Sequence, residues 1–219
     1  MILKLFLHIS LWYCQTEPNQ FLVLVLLLVK RLIEEAKKEN IRLAIATTTS
    51  LSNVIVLLSQ FLALDWFEVI AAGDIVPAKK PAPDIYNYVL KRMNLLPENC
   101  LVFEDSDNGL QAAIQAGIKT IVTVNNYTKE QDFNQAILVL SNLGESEKPF
   151  KIIRGNLSNN NYVDINSLRS HWYKNWNNGR DRILNLKVKR SLFRYLQLML
   201  GFKLQNNLRK RDHIFIIIL

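Results

Sequence analysis

From Lys30 onward, apolar residues recur at helical spacing, then gather into short unbroken runs, and this alternation repeats down to about Leu143. Leu32, Ile33 and Ala36, with charged residues between them, predict an amphipathic helix ending near Asn40. Arg42–Ala46 reads as a short strand running into Thr47-Thr48-Thr49-Ser50, and Val54, Leu57, Leu58 and Phe61 mark a second helix. Phe67–Ala71 is the next strand. A loop holding Gly73, Pro77, Lys79, Lys80, Pro81 and Pro83 follows, and Asp84 is placed to cap a helix over Ile85–Met93. Cys100–Phe103 is a strand that ends on Glu104 and Asp105. A helix then runs to Ala116, Gly117 stops it, and Thr120–Val124 and Ile137–Leu140 complete the series. Strands and helices alternating at this spacing predict an α/β fold, a Rossmann-like parallel sheet with helices on both faces.

In such a sheet the groups at the carboxyl ends of the strands face the ligand crevice. Two adjacent acids there, Glu104 and Asp105, suit a hard cation, because Mg²⁺ is typically held by one or two carboxylates together with water and substrate phosphate. The same turn also has the composition of a helix cap, which needs no ligand. The hydroxyls and backbone N–H groups of residues 47–50 form a candidate phosphate site, although Ser50 or Ser52 could equally serve only to cap the helix that follows. Lys80 lies between prolines that restrict the backbone carrying it.

Charge changes the picture only for the C-terminal segment. The net charge is +8, yet through Trp172 there are 16 basic against 17 acidic residues, and from Tyr173 onward 11 against 2. The basic excess is therefore a property of residues 172–219, where clusters at Lys187–Arg190 and Arg209–Arg211 with interleaved aromatics suit nucleic acid or an anionic membrane surface. This extension reads as helical or irregular, and its last residues, His213–Leu219, resemble an aggregation-prone strand. At the other end, Met1–Tyr13 and Phe21–Val29 are apolar but shorter than the roughly 18 residues of a membrane span. A signal peptide finds weak support, since no small-residue cleavage site follows the first run cleanly. Cys14 and Cys100 follow no metal-binding spacing and point to no oxidising compartment, which favours an intracellular location.

Three stretches carry a family resemblance: Leu43–Thr49 (Leu-Ala-Ile-Ala-Thr-Thr-Thr), Lys79–Tyr86 (Lys-Lys-Pro-Ala-Pro-Asp-Ile-Tyr) and Phe103–Gly117, which opens Phe-Glu-Asp-Ser-Asp-Asn-Gly-Leu. In this order they resemble the second, third and fourth motifs of the haloacid dehalogenase-like (HAD) hydrolases, in the branch of CbbY-like sugar-phosphate phosphatases and β-phosphoglucomutase. The segments Ala71–Val76, Val122–Thr128 and Ala136–Leu140 with Leu143–Glu145 are similar to that branch as well. The resemblance spans about Lys30 to His171 and implies a HAD-like core over residues 30–171, flanked by a non-family segment 1–29 and the basic extension. It implies that Thr47 donates its hydroxyl and Thr48 its backbone N–H to the transferring phosphoryl group of a small phosphorylated sugar. It further implies that Lys80 neutralises that group while Glu104 and Asp105 hold Mg²⁺.

One part of the pattern is missing. The resemblance implies an Asp-x-Asp motif at the end of a first strand upstream of Thr47, where the first Asp is the nucleophile, followed by a helical cap that selects substrate. No aspartate precedes Asp65, and only 46 residues precede Thr47. Phe21–Val29 is the candidate for the vacant first-strand position, without a carboxylate. Asp105-Ser106-Asp107 is an alternative Asp-x-Asp, but the helix after it and its position downstream of Lys80 match the fourth motif. The core is therefore expected to be incomplete, with both flanks reading like sequence not selected to fit it, as a truncated gene would produce. The readings that remain are a phosphatase lacking its nucleophile, a non-catalytic phosphate- or partner-binding domain, and a basic adaptor.

Overall fold

The computed structural model of the chain describes residues 20–59, 62–157, 161–170 and 215–218. Five helices are used below: α1 (Gln20–Lys38), α2 (Leu51–Leu58), α3 (Asp84–Met93), α4 (Asp107–Gln115) and α5 (165–170). The strands are β1 (Leu43–Thr47), β2 (Phe67–Ala72), β3 (Cys100–Glu104), β4 (Lys119–Thr123), β5 (Leu138–Leu140), β6 (Ile152–Arg154) and β7 (Phe215–Ile218). They form one sheet in the order β2-β1-β7-β3-β4-β5-β6, parallel throughout except for the antiparallel β5–β6 pair.

The period-2 alternation of the central strands sorts the core onto two faces. Leu43, Ile45, Leu101 and Phe103 pack with Leu32, Ile33 and Ala36 of α1 and with Val54 and Leu58 of α2. Ala44, Ala46, Cys100 and Val102 point the other way, into a cluster with Ile85, Tyr86, Val89 and Met93 of α3 and with Ala112 and Ala113 of α4. The alanines of β1 leave the volume that the larger side chains of α3 fill. Both β1 and β3 are buried along their whole length, as strands covered on two sides must be.

The predicted strands and helices between residues 30 and 143 are present, most with boundaries moved by one to three residues. Two expectations change. Phe21–Val29 does not supply the missing strand, because α1 runs unbroken from Gln20 to Lys38. No Gly or Pro separates the leucine-rich run from the amphipathic helix after it, so extending that helix costs no new nucleus. The vacant position between β1 and β3 is taken instead by β7, from the strand-like run His213–Leu219 at the end of an extension otherwise expected to be helical or irregular. Ala44 pairs with Ile217 on one side and Val102 with Ile217 on the other. A smaller correction concerns α3, whose N-cap is Pro83, with Asp84 inside the first turn.

Beyond Leu143 the chain folds back onto α1. The Arg31 guanidinium donates to Glu35 at 2.8 Å, to Glu145 at 3.3 Å and to the Val163 carbonyl at 2.9 Å, and lies 4.6 Å from the Tyr162 ring centre. Asp164 and Ser167 exchange side-chain-to-backbone hydrogen bonds at the start of α5, a reciprocal cap. No helix among the described residues is long and apolar enough to cross a membrane. Residues 1–13, Cys14 and the basic clusters at 187–190 and 209–211 lie outside the described residues.

Because β7 satisfies the ladder groups of two strands at once, a proline within it removes a donor at the centre of the sheet. Ile217→Pro is expected to lower unfolding stability by on the order of 3 kcal/mol in urea titrations. An unchanged midpoint would remove β7 from the sheet.

Candidate functional site

The sheet's carboxyl-end crevice collects the loops after β1, β2, β3 and β4. Thr47, the last residue of β1, is fully buried, and its hydroxyl oxygen accepts the Thr49 N–H at 3.2 Å. That bond tightens the turn and leaves the hydroxyl proton for another acceptor. The loop after β2 closes against the same turn: Gly73 donates its N–H to the Thr47 carbonyl at 3.2 Å and sits at φ +64°, where a side chain would be strained.

Lys80 reaches this turn from the loop before α3. Its side chain is 5 % exposed, the ammonium donates to the Ala46 carbonyl at 2.9 Å and to Glu104 Oε1 at 3.0 Å, and the Lys80–Pro81 peptide is cis. An ammonium has three donors. Two are committed to the ends of β1 and β3, so the third has a fixed direction. Ala46 and Glu104 belong to the two strands that flank β7, and Lys80 thus bridges the sheet at the mouth of the crevice.

Glu104 is itself 1 % exposed and accepts from Lys80 and from the Tyr86 hydroxyl on the same oxygen. Its carboxylate lies against Gly109 in the first turns of α4, so closely that a Cβ at position 109 would fall 1.8 Å from Oε2. Burial, and then the Glu104 charge, push the Tyr86 phenol well above its ordinary range, so it remains a donor.

Asp105 is differently placed. Oδ2 accepts from the Asn125 side chain at 3.3 Å, whereas Oδ1 is buried with no partner among the described residues. Burial pushes its carboxyl up to about 6, with Glu104 adding to the rise and Lys80 opposing it. Ser106 caps α4 by accepting from the Gly109 N–H, and Asp107 accepts from Gln111 of its own helix at 3.1 Å. Asp107 is thus engaged by its own helix and Asp105 by the loop after β4.

An orphaned buried carboxylate oxygen is the chemistry a divalent cation would satisfy, and Asp105 fits Mg²⁺ on that ground. Glu104 beside it accepts from Lys80 and Tyr86 on Oε1, while no donor to its Oε2 is found among the described residues. Among the described residues no group of three His, Cys, Asp or Glu side chains could hold a metal ion. One carboxylate is nevertheless enough for Mg²⁺ bound jointly with a phosphate, because this ion keeps several waters and is commonly held through the substrate's own oxygens.

Thr47, Lys80, Glu104 and Asp105 thus all lie at the carboxyl ends of β1 and β3, with Thr48 in the turn beside Thr47. Sequence reasoning overlooked Tyr86, Gly109 and Asn125 as site residues, whereas the buried hydroxyl of Thr49, which has no partner among the described residues, belongs to the turn it had singled out. Each lies inside a stretch that drew attention, but only the packing of α3 and α4 on the sheet shows what they touch.

Known proteins resemble the chain in sequence and fold. The family described as "Haloacid dehalogenase-like hydrolase" matches residues 15–123, beginning upstream of Lys30. A CbbY protein of Cupriavidus necator is 44% identical over 124 residues, which are 55% of this chain and 49% of the relative. A phosphorylated carbohydrates phosphatase of Thermotoga maritima is 41% identical over 96 residues, 44% of each chain. The crystal structure of a Rhodobacter sphaeroides CbbY mutant in complex with xylulose-(1,5)-bisphosphate superimposes with a TM-score of 0.51 at 46% identity, covering 52% of both chains. The chain spans about half the length of the curated CbbY relatives it matches. Over the residues so matched, the chain belongs to the haloacid dehalogenase-like hydrolases, in their CbbY-like branch.

Proposed function

We propose that the crevice recognises the phosphoryl group of a small sugar phosphate, as in a Mg²⁺-dependent CbbY-like phosphatase. The observation that carries this reading is the buried Lys80 ammonium, held by Ala46 and Glu104 with one donor direction left over. Phosphoryl transfer asks a protein mainly for positioning and charge neutralisation. Thr47 would donate its hydroxyl, Thr48 its backbone N–H and Lys80 its remaining proton to phosphate oxygens. Asp105 and the Oε2 of Glu104 would hold Mg²⁺ against the same oxygens, while Oε1 of Glu104 keeps Lys80 in place. When bound, Mg²⁺ would add charge to polarise the phosphoryl group. The complex of a relative with a sugar bisphosphate and the name of the Thermotoga relative support the substrate class.

A second reading is favoured by one observation. The strand between β1 and β3 is Phe215–Ile218, which carries no carboxylate. A phosphoryl-accepting aspartate at the end of this position would have to come from elsewhere, so we propose that the chain by itself binds phosphate without rapid turnover. Loss of a covalent nucleophile typically removes several orders of magnitude in rate.

Calorimetric titration of the purified chain with inorganic phosphate in Mg²⁺ tests the binding reading. Lys80→Gln, whose amide still donates to Glu104, is expected to weaken phosphate binding by about tenfold, the value of one charge-assisted contact. Equal affinity in the two proteins would refute it. Sugar-phosphate hydrolysis by the same preparation is expected below about 1 s⁻¹; a faster Mg²⁺-dependent rate would show that the chain carries its own nucleophile.

Asp105 supplies a pH test. Its folded carboxyl holds a proton up to about 6, above the unfolded range, so the native state binds more protons than the unfolded state between those limits. Stability from this group is therefore present at low pH and lost as pH rises toward about 6. Asp105→Asn is expected to be more stable than the parent at pH 7.5 in metal-free buffer, by on the order of 2 kcal/mol, with the difference vanishing near pH 4. Mg²⁺ should raise the parent's melting temperature and leave that of Asp105→Asn unmoved. A pH-independent difference between the two proteins would count against a raised Asp105.

A further inference from the structure

The loop after β4 is tied at two points to the turn that carries Asp105. Gln131 accepts the Asp107 N–H on its side-chain oxygen at 2.8 Å, satisfying a donor that the first turn of α4 leaves without an intrahelical partner. Asn125 donates from Nδ2 to Asp105 Oδ2 at 3.3 Å. A contact of that length from an amide free to rotate would say little, but every other polar group of Asn125 is committed. Its side-chain oxygen accepts the Tyr127 N–H at 2.8 Å, and its backbone N–H donates to the Thr128 hydroxyl at 3.1 Å. Its carbonyl accepts the N–H groups of Thr128 and Lys129 at 3.1 and 3.0 Å. Asn125 therefore caps a single turn, and the buried Thr128 hydroxyl reaches back to it as in a capping box.

An amide carries its oxygen and nitrogen on opposite sides of one carbon. Committing the oxygen to Tyr127 turns the nitrogen toward Asp105 and removes the flipped alternative. Serine, threonine or aspartate would cap such a turn too, yet among these residues asparagine alone has a second polar atom that is a donor. We propose that Asn125 is a positioning residue for Asp105: its cap-locked amide holds Oδ2 and leaves Oδ1, buried and without a partner among the described residues, as the oxygen offered to a cation. The cation half of this rests on the Mg²⁺ reading under the proposed function; the hold on Asp105 does not. A carboxylate free to turn about its Cβ–Cγ bond would have to be ordered by the metal, at a cost in affinity, whereas Asn125 orders it beforehand. A cationic side chain in the same place would hold Asp105 as firmly but repel a second cation. A neutral amide does not.

The test uses Asn125→Ser in the full chain, because a serine hydroxyl can still accept the Tyr127 N–H while the donor to Asp105 is gone. In metal-free urea titrations Asn125→Ser is expected to lower the folding equilibrium constant about tenfold in the parent, as loss of a hydrogen bond to a charged group does, and to leave it unchanged in an Asp105→Ala background. A cap serving only its own turn would cost the same in both. In calorimetric titrations with Mg²⁺ alone, Asn125→Ser is expected to raise Kd about tenfold, the usual effect of removing a partner that orients a metal ligand. Equal stability loss in both backgrounds, or an unaltered Kd, would overturn the proposal. Coupling between Asn125 and Asp105 in a parent that binds no Mg²⁺ would keep the hold on Asp105 and remove the Mg²⁺ reading. If Asn125→Ser does not fold, Asn125→Thr, which also keeps a capping oxygen, replaces it in both titrations, and a second failure to fold would make the residue purely structural and overturn the proposal.

Discussion

The structure depends on closing the space between β1 and β3. Each strand presents a row of N–H and C=O groups toward the other, too far apart to pair directly and too buried to be hydrated, and an unpaired buried peptide group is among the costliest defects a fold can carry. One strand inserted between them satisfies both rows, and Phe215–Ile218 does so in parallel register with each. Thr47, Ala46 and Glu104 are held at their positions across the sheet because that insertion sets the spacing of the strands that carry them. The geometry of the crevice is thus downstream of a backbone constraint that involves none of its side chains.

Above the sheet, the decisive term is electrostatic. An ammonium and a carboxylate taken out of water lose several kcal/mol of hydration each, and their mutual attraction repays this only when the remaining donors and acceptors are satisfied. Here the Ala46 carbonyl, the Tyr86 hydroxyl and the gap left by Gly109 complete the arrangement around Lys80 and Glu104. Asp105, one residue further, is buried without an ion-pair partner, and burial raises the range over which it holds a proton. Adjacent carboxylates in one turn thus have different surroundings, Glu104 beside an ammonium and Asp105 beside a neutral amide.

Most of the sheet between residues 30 and 143 was legible in the sequence, because apolar period and Gly, Pro and Asn punctuation are local signals. The Phe21–Val29 run was not, since a continuous apolar stretch fits a buried strand or a buried helix equally and only its continuity with the following helix decides. Nor was β7, whose identity as a central strand lies in its partners at the other end of the chain. The site shows a similar split. Residue types at strand ends pointed to Thr47, Lys80, Glu104 and Asp105, and the different surroundings of the two acids follow from strand parity, which sets Cys100, Val102 and Glu104 on the α3 face and sends the next residue the other way. That parity was available from the sequence alone; the Tyr86 contact was not, because it requires α3 to be seated on the alanines of β1.

The placement of β7 has a consequence for biosynthesis. The chain is made from its N-terminus at roughly 5–20 residues per second, and domains begin to organise as they emerge. Here β1, β2, β3 and β4 all appear before the strand that joins the two halves of the sheet, and Ala44 must await Ile217. For on the order of ten seconds after β3 is made, the nascent protein therefore exposes two apolar strand edges that face each other across an unfilled gap. A template of that kind is open to any extended apolar segment within reach, so during synthesis this fold is a natural client for chaperones that shield unpaired strand edges.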